Sequence, residues 1–233
     1  MTSVTNSSLS FGDHYAVLNL DWMSVLINAA KDTHEGQAMI ENCSKWNDAV
    51  HQKSPQPLTV FSTLSFNPGQ PEVQPKSPFA NLIVPYGEFR NGSPEVQIDG
   101  HFKVDDKDVV LPKTRWSATM GNALEQILRA RNIKTVIIVC DSNTGALLFP
   151  YQNKVYILMC LSQSGLTLSG VVMSTIYRLF DLDYKIYVIK DNVLELPVYQ
   201  TPKLSETLFE TVLPKMNVKV VSIAEALGAL ENS

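Results

Sequence analysis

The chain has 233 residues, 45% of them apolar and 18% charged, with a formal charge of −4. That length and apolar fraction suffice to bury a full-sized core, as one large domain or two small ones, and they exclude a disordered chain. The acidic balance, with no basic patch or stripe to neutralise phosphates, excludes the usual nucleic-acid partner.

Met1 to Gly12 carry no Lys or Arg ahead of an apolar run, so they do not read as a signal or transit peptide, and a cytoplasmic setting is expected. The longest apolar stretches are about five to eight residues, far short of a membrane span. The three cysteines, Cys43, Cys140 and Cys160, do not describe a disulfide framework in a leaderless chain.

Tyr15 to Leu20 reads as a buried strand ending at Asp21, and Trp22 to His51 as a helix. Leu58 to Thr63 is a second strand. Asn67 to Pro94 holds six prolines and three glycines and must be an irregular excursion. Asp108 to Leu111 is a short strand leading into Pro112 to Ser117, followed by a helix from Asn122 to Arg131 and a central strand from Thr135 to Val139. Beyond position 163 the pattern resumes: a helix from Gly170 to Asp181, a strand from Lys185 to Ile189, a helix from Leu204 to Leu213, a strand from Val218 to Val221 and a last helix from Ile223 to Leu230. Alternating strands and helices with nearly all-apolar strands specify an α/β fold, a parallel sheet with helices on both faces. Ligands in such sheets sit at the carboxyl ends of the strands.

The residues just after the strands therefore carry the chemistry. Asp21 is either a helix N-cap or a buried carboxylate kept for a purpose. Lys113 is either a solvated surface lysine or the charge partner of such an acid. Ser164 to Gly170, Ser-Gly-Leu-Thr-Leu-Ser-Gly, opens onto a helix whose free amides can hold an oxyanion, or is an ordinary turn capped by Ser169 or Thr167. Trp22, Trp46 and Trp116 read as core or pocket wall. The four histidines lie at spacings that match no metal motif.

Asp21 after strand one, Lys113 in a Lys-x-x-x-Ser-Ala context and Ser-Gly-Leu-Thr-Leu-Ser-Gly-Val-Val-x-Ser-Thr opening a helix together resemble the isochorismatase-like hydrolase superfamily. Asn67-Pro68-Gly69-Gln70-Pro71-Glu72 and Phe180-Asp181-Leu182-Asp183-Tyr184-Lys185 extend the likeness over nearly the whole chain. The resemblance implies a single domain, a Rossmann-like three-layer sandwich around a six-stranded parallel sheet, assembled as a homo-oligomer. It implies Asp21 as catalytic acid and Lys113 as catalytic lysine, with the amides of Leu166 and Gly170 as oxyanion donors and Ser169 adjacent on the turn. Where amidase members carry a nucleophilic cysteine, the resemblance aligns Gly170, which forms no thioester. The implied chemistry is that of isochorismatase: an aspartic acid protonates a vinyl ether and water attacks the oxocarbenium carbon. Asp21 must then have a raised pKa, through burial and against Lys113. Metal-binding members have Asp-x-His after strand two; Leu64-Ser65-Phe66 stands here, so no metal and no cofactor is expected, and Phe66 and Trp116 are expected as pocket walls for a small anionic or cyclic substrate. An inactive member that binds a metabolite or a protein through the same pocket is the alternative; an amidase acting through water alone is a third.

About 25 residues, Val139 to Gln163, separate Ile138 from Ser164 and fit no element of the doubly wound pattern. Their removal joins Val-Ile-Ile to Ser-Gly-Leu-Thr. Val139-Cys140 can be encoded by GTATGT and Gln163 by CAG, the ends of an intron of about 75 nucleotides, so the segment reads as a retained intron, or else as a genuine insertion such as a β-hairpin.

Overall fold

In a computed structural model, which describes residues 9–140, 168–195 and 198–233, the runs Tyr15–Leu20 (β1) and Thr135–Cys140 (β4) are buried at every position. Their unbroken apolar sequences place them side by side at the centre of a sheet, β1 in parallel register with β4 from Tyr15 against Thr135 to Leu20 against Cys140. Leu58–Leu64 (β2) and Val109–Lys113 (β3) extend the sheet on one side, Lys185–Ile189 (β5) and Lys219–Val221 (β6) on the other. The order is β3-β2-β1-β4-β5-β6, all parallel. The order reverses direction between β1 and β4, and the crevice at the carboxyl ends of these two strands is where such folds bind ligands.

Helices cover both faces, as expected. Leu124–Ala130 (α4) and Met173–Phe180 (α5) supply Leu124, Leu128, Ile176 and Leu179 to one core layer, with Leu18 and Ile138 of the sheet beneath them. His34–Gln52 (α2) and Ile223–Glu231 (α7) supply Met39, Cys43, Trp46, Ala226 and Leu230 to the other, over Val17, Ile137 and Tyr187. A third apolar cluster, which includes Leu64, Phe66, Phe89 and Ile83 of the short helix Pro78–Ile83 (α3), fills the excursion after β2.

The helix expected from Trp22 to His51 is two, Ser24–Ala30 (α1) and α2. Thr33 divides them: its hydroxyl donates to the Ala30 carbonyl and accepts the Gly36 amide, each at 3.0 Å, ending one helix and capping the next. The helix expected from Leu204 to Leu213 is likewise a composite, Thr201–Thr207 (α6), a π-helical turn Leu208–Val212 and a 3-10 turn Leu213–Met216. Strand β3 runs two residues further than its sequence suggests, through Pro112 to Lys113. Proline is tolerated there because β3 is an edge strand.

Cys140, assigned on sequence to the segment outside the pattern, and Val139, placed on sequence both there and at the end of the strand, belong to β4 and pair with Leu20 and Asn19. They are apolar residues continuing a buried strand, and the sheet accepts them as such. Residues 141–163 lie outside the described residues. Among the described residues no helix is long and apolar enough to cross a membrane.

Candidate active site

Asp21 directly follows β1 and is fully buried, with a φ of 61°. Continued strand alternation would send its side chain to the face of Val17 and Asn19. The left-handed backbone interrupts that alternation, and the carboxylate meets residues of β2 and β3 instead. Asp, with its short polar side chain, is among the few residues that adopt this conformation readily. The Asp21 amide donates to the Ser62 carbonyl at 2.9 Å, which pins the end of β1 to β2.

Lys113, the last residue of β3, is also fully buried. Strands β1 and β3 are separated by β2, a span of about 10 Å at ordinary strand spacing. The lysine side chain bridges it: Nζ lies 2.9 Å from Asp21 Oδ2 and donates to the Arg115 carbonyl at 3.1 Å. Ser62 Oγ donates to Asp21 Oδ1 at 3.4 Å. Burial pushes the Asp21 pKa up, and the Lys113 charge, then the Lys113 and Ser62 hydrogen bonds, oppose it without cancelling it. The capping role open to Asp21 on sequence is not used, because α1 is preceded by Met23 as its cap residue. Nor is Lys113 a solvated lysine.

The turn leading into α5 is π-helical over Leu168–Val172. Gly170 is buried there and Ser169 is exposed. Leu166 lies outside the described residues. Phe66 is 1% exposed and sits inside the third apolar cluster, edge-on to Phe79 and Phe89. Trp116 is half-buried, three residues beyond Lys113, and its indole N–H is buried without a hydrogen-bond acceptor among the described residues. A groove of about 360 Å³ beside the ends of β2 and β3 is lined by Thr63, Ser65, Asn91 and Pro112 among others, with neither Asp21 nor Lys113 on its wall.

Two further side chains, one after β3 and one after β5, hold neighbouring segments together and were not singled out by the sequence. Arg115 ties the segment after β3 to the excursion: its guanidinium donates to the Glu72 and Thr114 carbonyls at 2.7 and 2.6 Å and lies 4.8 Å from the centre of the Phe79 ring. Glu195 is 1% exposed, and its Oε2 accepts the Ser169 amide at 2.8 Å. Its signal in the sequence is a lone carboxylate inside the apolar run Val193-Leu194-Glu195-Leu196 after β5.

At the opposite, amino end of β3, His51, Asp105 and Asp108 bring three donor atoms within 4.8 Å of one another. His51 Nε2 lies 2.8 Å from Asp108 Oδ2, which also accepts the Asp105 amide, while Asp108 Oδ1 accepts Gln56 Nε2. The Asp108 carboxylate thus accepts from Asp105 and Gln56 and faces His51, and the group pins the end of α2 to the loop before β3.

Residues 15–139 match the family model of the isochorismatase domain, more than half of the 233-residue chain. The chain belongs to the isochorismatase family. Its fold is shared by solved structures at low identity. An isochorismatase family protein of Burkholderia thailandensis has a TM-score of 0.68 and 18% identity over 97% of this chain and 100% of that one. The N-carbamoylsarcosine amidase of Thermoplasma acidophilum has a TM-score of 0.63 and 17% identity over 91% and 97%. A cysteine hydrolase of Pseudomonas syringae pv. phaseolicola has a TM-score of 0.68 and 14% identity over 98% and 99%. No curated protein sequence matches significantly. The six-stranded parallel α/β fold is that of isochorismatase-like proteins, and the family is one of hydrolases.

Proposed function

We propose that this chain is a hydrolase of small molecules that works by acid catalysis from Asp21, with Lys113 as its charge partner and no covalent enzyme intermediate. The observation that carries the reading is the Asp21–Lys113 pair, fully buried at the carboxyl ends of β1 and β3. A carboxyl group with a raised pKa holds a proton where an exposed one has lost it, and can deliver it to a substrate carbon or oxygen. The π-helical turn, Leu168-Ser169-Gly170-Val171-Val172, contains no thiol, which supports chemistry without a thioester.

On a vinyl ether, the Asp21 proton bonds to the terminal carbon through the double-bond electron pair, leaving an oxocarbenium ion. Water adds to the cationic carbon that bears the ether oxygen and returns a proton to Asp21; the resulting hemiketal then breaks its ether C–O bond, its hydroxyl proton passing to the departing oxygen, to release an alcohol and a ketone. Lys113 keeps the carboxylate formed in the first step from standing uncompensated in a buried site. Trp116 is assigned to the apolar wall, with Phe66 buried in the cluster of Phe79 and Phe89 rather than on the groove, and the Gly170 amide, with Leu166, to the oxygen that departs as the hemiketal breaks. The proposal includes a homo-oligomer of single-domain subunits, which light scattering at several concentrations tests.

The zero exposure of both charged groups favours one second reading, a family member that binds a metabolite or protein without turning it over. Assay against isochorismate and a panel of amides, with Asp21→Asn alongside, separates the two. The hydrolase reading requires turnover by the native chain and none by the variant; binding that survives in both without turnover establishes the other.

A further inference from the structure

Glu195 lies beyond the end of β5, at the same edge of the sheet as the turn that opens α5, and its carboxylate is buried. Burial of a carboxylate is costly unless donors compensate it. The Ser169 amide supplies one at 2.8 Å, and beside it the Leu168 amide donates to the Leu194 carbonyl at 3.1 Å. Residues 194 and 195 therefore hold two successive amides at the start of the turn. Glu195 is itself held from the far side. The hydroxyl of Thr201, the first residue of α6, accepts the Glu195 amide at 2.8 Å and donates to the Glu195 carbonyl at 3.2 Å. A carboxylate accepting an amide at the start of a helix makes a charge-assisted bond and complements the helix dipole, so it holds more firmly than a neutral acceptor.

We infer that Glu195 is a positioning residue for the 168–172 turn, a clamp that ties the first amides of the turn to α6 and thereby sets the place of Gly170. It takes the Ser169 amide out of the set that a substrate oxygen can use. The catalytic consequence rests on the proposed function, in which this turn faces the reacting atoms; the clamp itself does not.

The test uses the full chain with Glu195→Ala, Glu195→Gln and Thr201→Val, read by amide hydrogen exchange and by turnover on isochorismate and the amide panel. Loss of a charge-assisted hydrogen bond predicts exchange of the 168–172 amides faster by about tenfold or more in Glu195→Ala. Peptides from β1 and β4 keep their protection. Glu195→Gln, which retains an acceptor oxygen, recovers most of the protection, and Thr201→Val, which frees the Glu195 backbone, falls between. On any substrate turned over, Glu195→Ala lowers kcat with KM little changed. Unaltered exchange at 168–172 in Glu195→Ala, or an equal rise across the whole sheet, overturns the inference. Native protein that turns over nothing sinks the hydrolase reading and leaves the exchange contrast to decide the clamp.

Discussion

Lys113 reaches across strand β2 to place its ammonium 2.9 Å from the carboxylate of Asp21, and neither side chain touches solvent. Removing one partner of a buried pair strands the other, at a cost of about 3–5 kcal/mol. Lys113→Met is therefore expected to lose stability on that scale at neutral pH and much less in acid, where a protonated Asp21 has no charge to compensate. Asp21→Asn is expected to abolish turnover and to be destabilised by a similar amount, while the double variant Asp21→Asn/Lys113→Met recovers a large part of both losses. Urea unfolding of the four proteins at two pH values measures the coupling, and simple additivity would speak against a paired site.

The pH dependence follows from the raised pKa of Asp21. With its ordinary value at 3.8, the native chain keeps a proton that the unfolded chain has released. The native state thus binds more protons between 3.8 and the native pKa, so the contribution of Asp21 to stability falls as pH rises through that interval. Turnover by the acid form falls in the same direction, with its midpoint at the pKa of Asp21 in the working complex. A pH series of melting temperatures for native protein and Asp21→Asn isolates the effect: their difference should shift in favour of the variant as pH rises.

Gly36 sits where α2 leaves the corner made by Thr33. A Cβ there would stand 2.2 Å from the Ala30 carbonyl oxygen and 2.8 Å from Thr33 Oγ1. Alanine gains about 1 kcal/mol of helix propensity over glycine. The clash is with backbone and with the capping hydroxyl, so the corner has to open and the cap is lost, for about 1–3 kcal/mol or more. Gly36→Ala is expected to be less stable than the native chain by urea midpoint, with the steric term outweighing propensity.

Two polar pairs of different burial give different expectations for salt. His51 and Asp108 are 2% and 0% exposed in their side chains, and His51→Ala leaves the carboxylate with fewer donors, for roughly 2–4 kcal/mol that 1 M salt does not remove. Arg178 and Glu125 make a two-pronged pair at 2.7 and 2.9 Å on the surface. Arg178→Ala is expected to lower the melt only slightly, by an amount that fades with salt. Paired melts at low and high ionic strength check both, and turnover at saturating substrate should be unaffected by His51→Ala, which lies at the opposite end of β3 from Lys113.

Val139 and Cys140 finish β4 against Asn19 and Leu20. If residues 139–163 interrupt the domain, deleting them brings Ser164 and Gly165 into those two strand positions. The shortened chain is then expected to be soluble and to melt no lower than the full chain. Aggregation or loss of cooperative melting on deletion would show that the segment is part of the fold.

Strands β1, β4 and β5 are legible because largely apolar runs of five or six residues encode burial on both faces of a sheet without reference to any distant residue. Asp21 and Lys113 stood out for the related reason that chemistry in this fold gathers just past strand ends, and the resemblance sharpened that to two positions. What no local pattern specifies is contact between residues far apart in the chain. The left-handed turn of Asp21, the reach of Lys113 over β2, the break at Thr33 and the clamp from Thr201 through Glu195 to Ser169 depend on strand register and on which hydrogen-bonding groups burial leaves facing one another. Periodicity settles which residues are inside; only the packed sheet decides which of them meet.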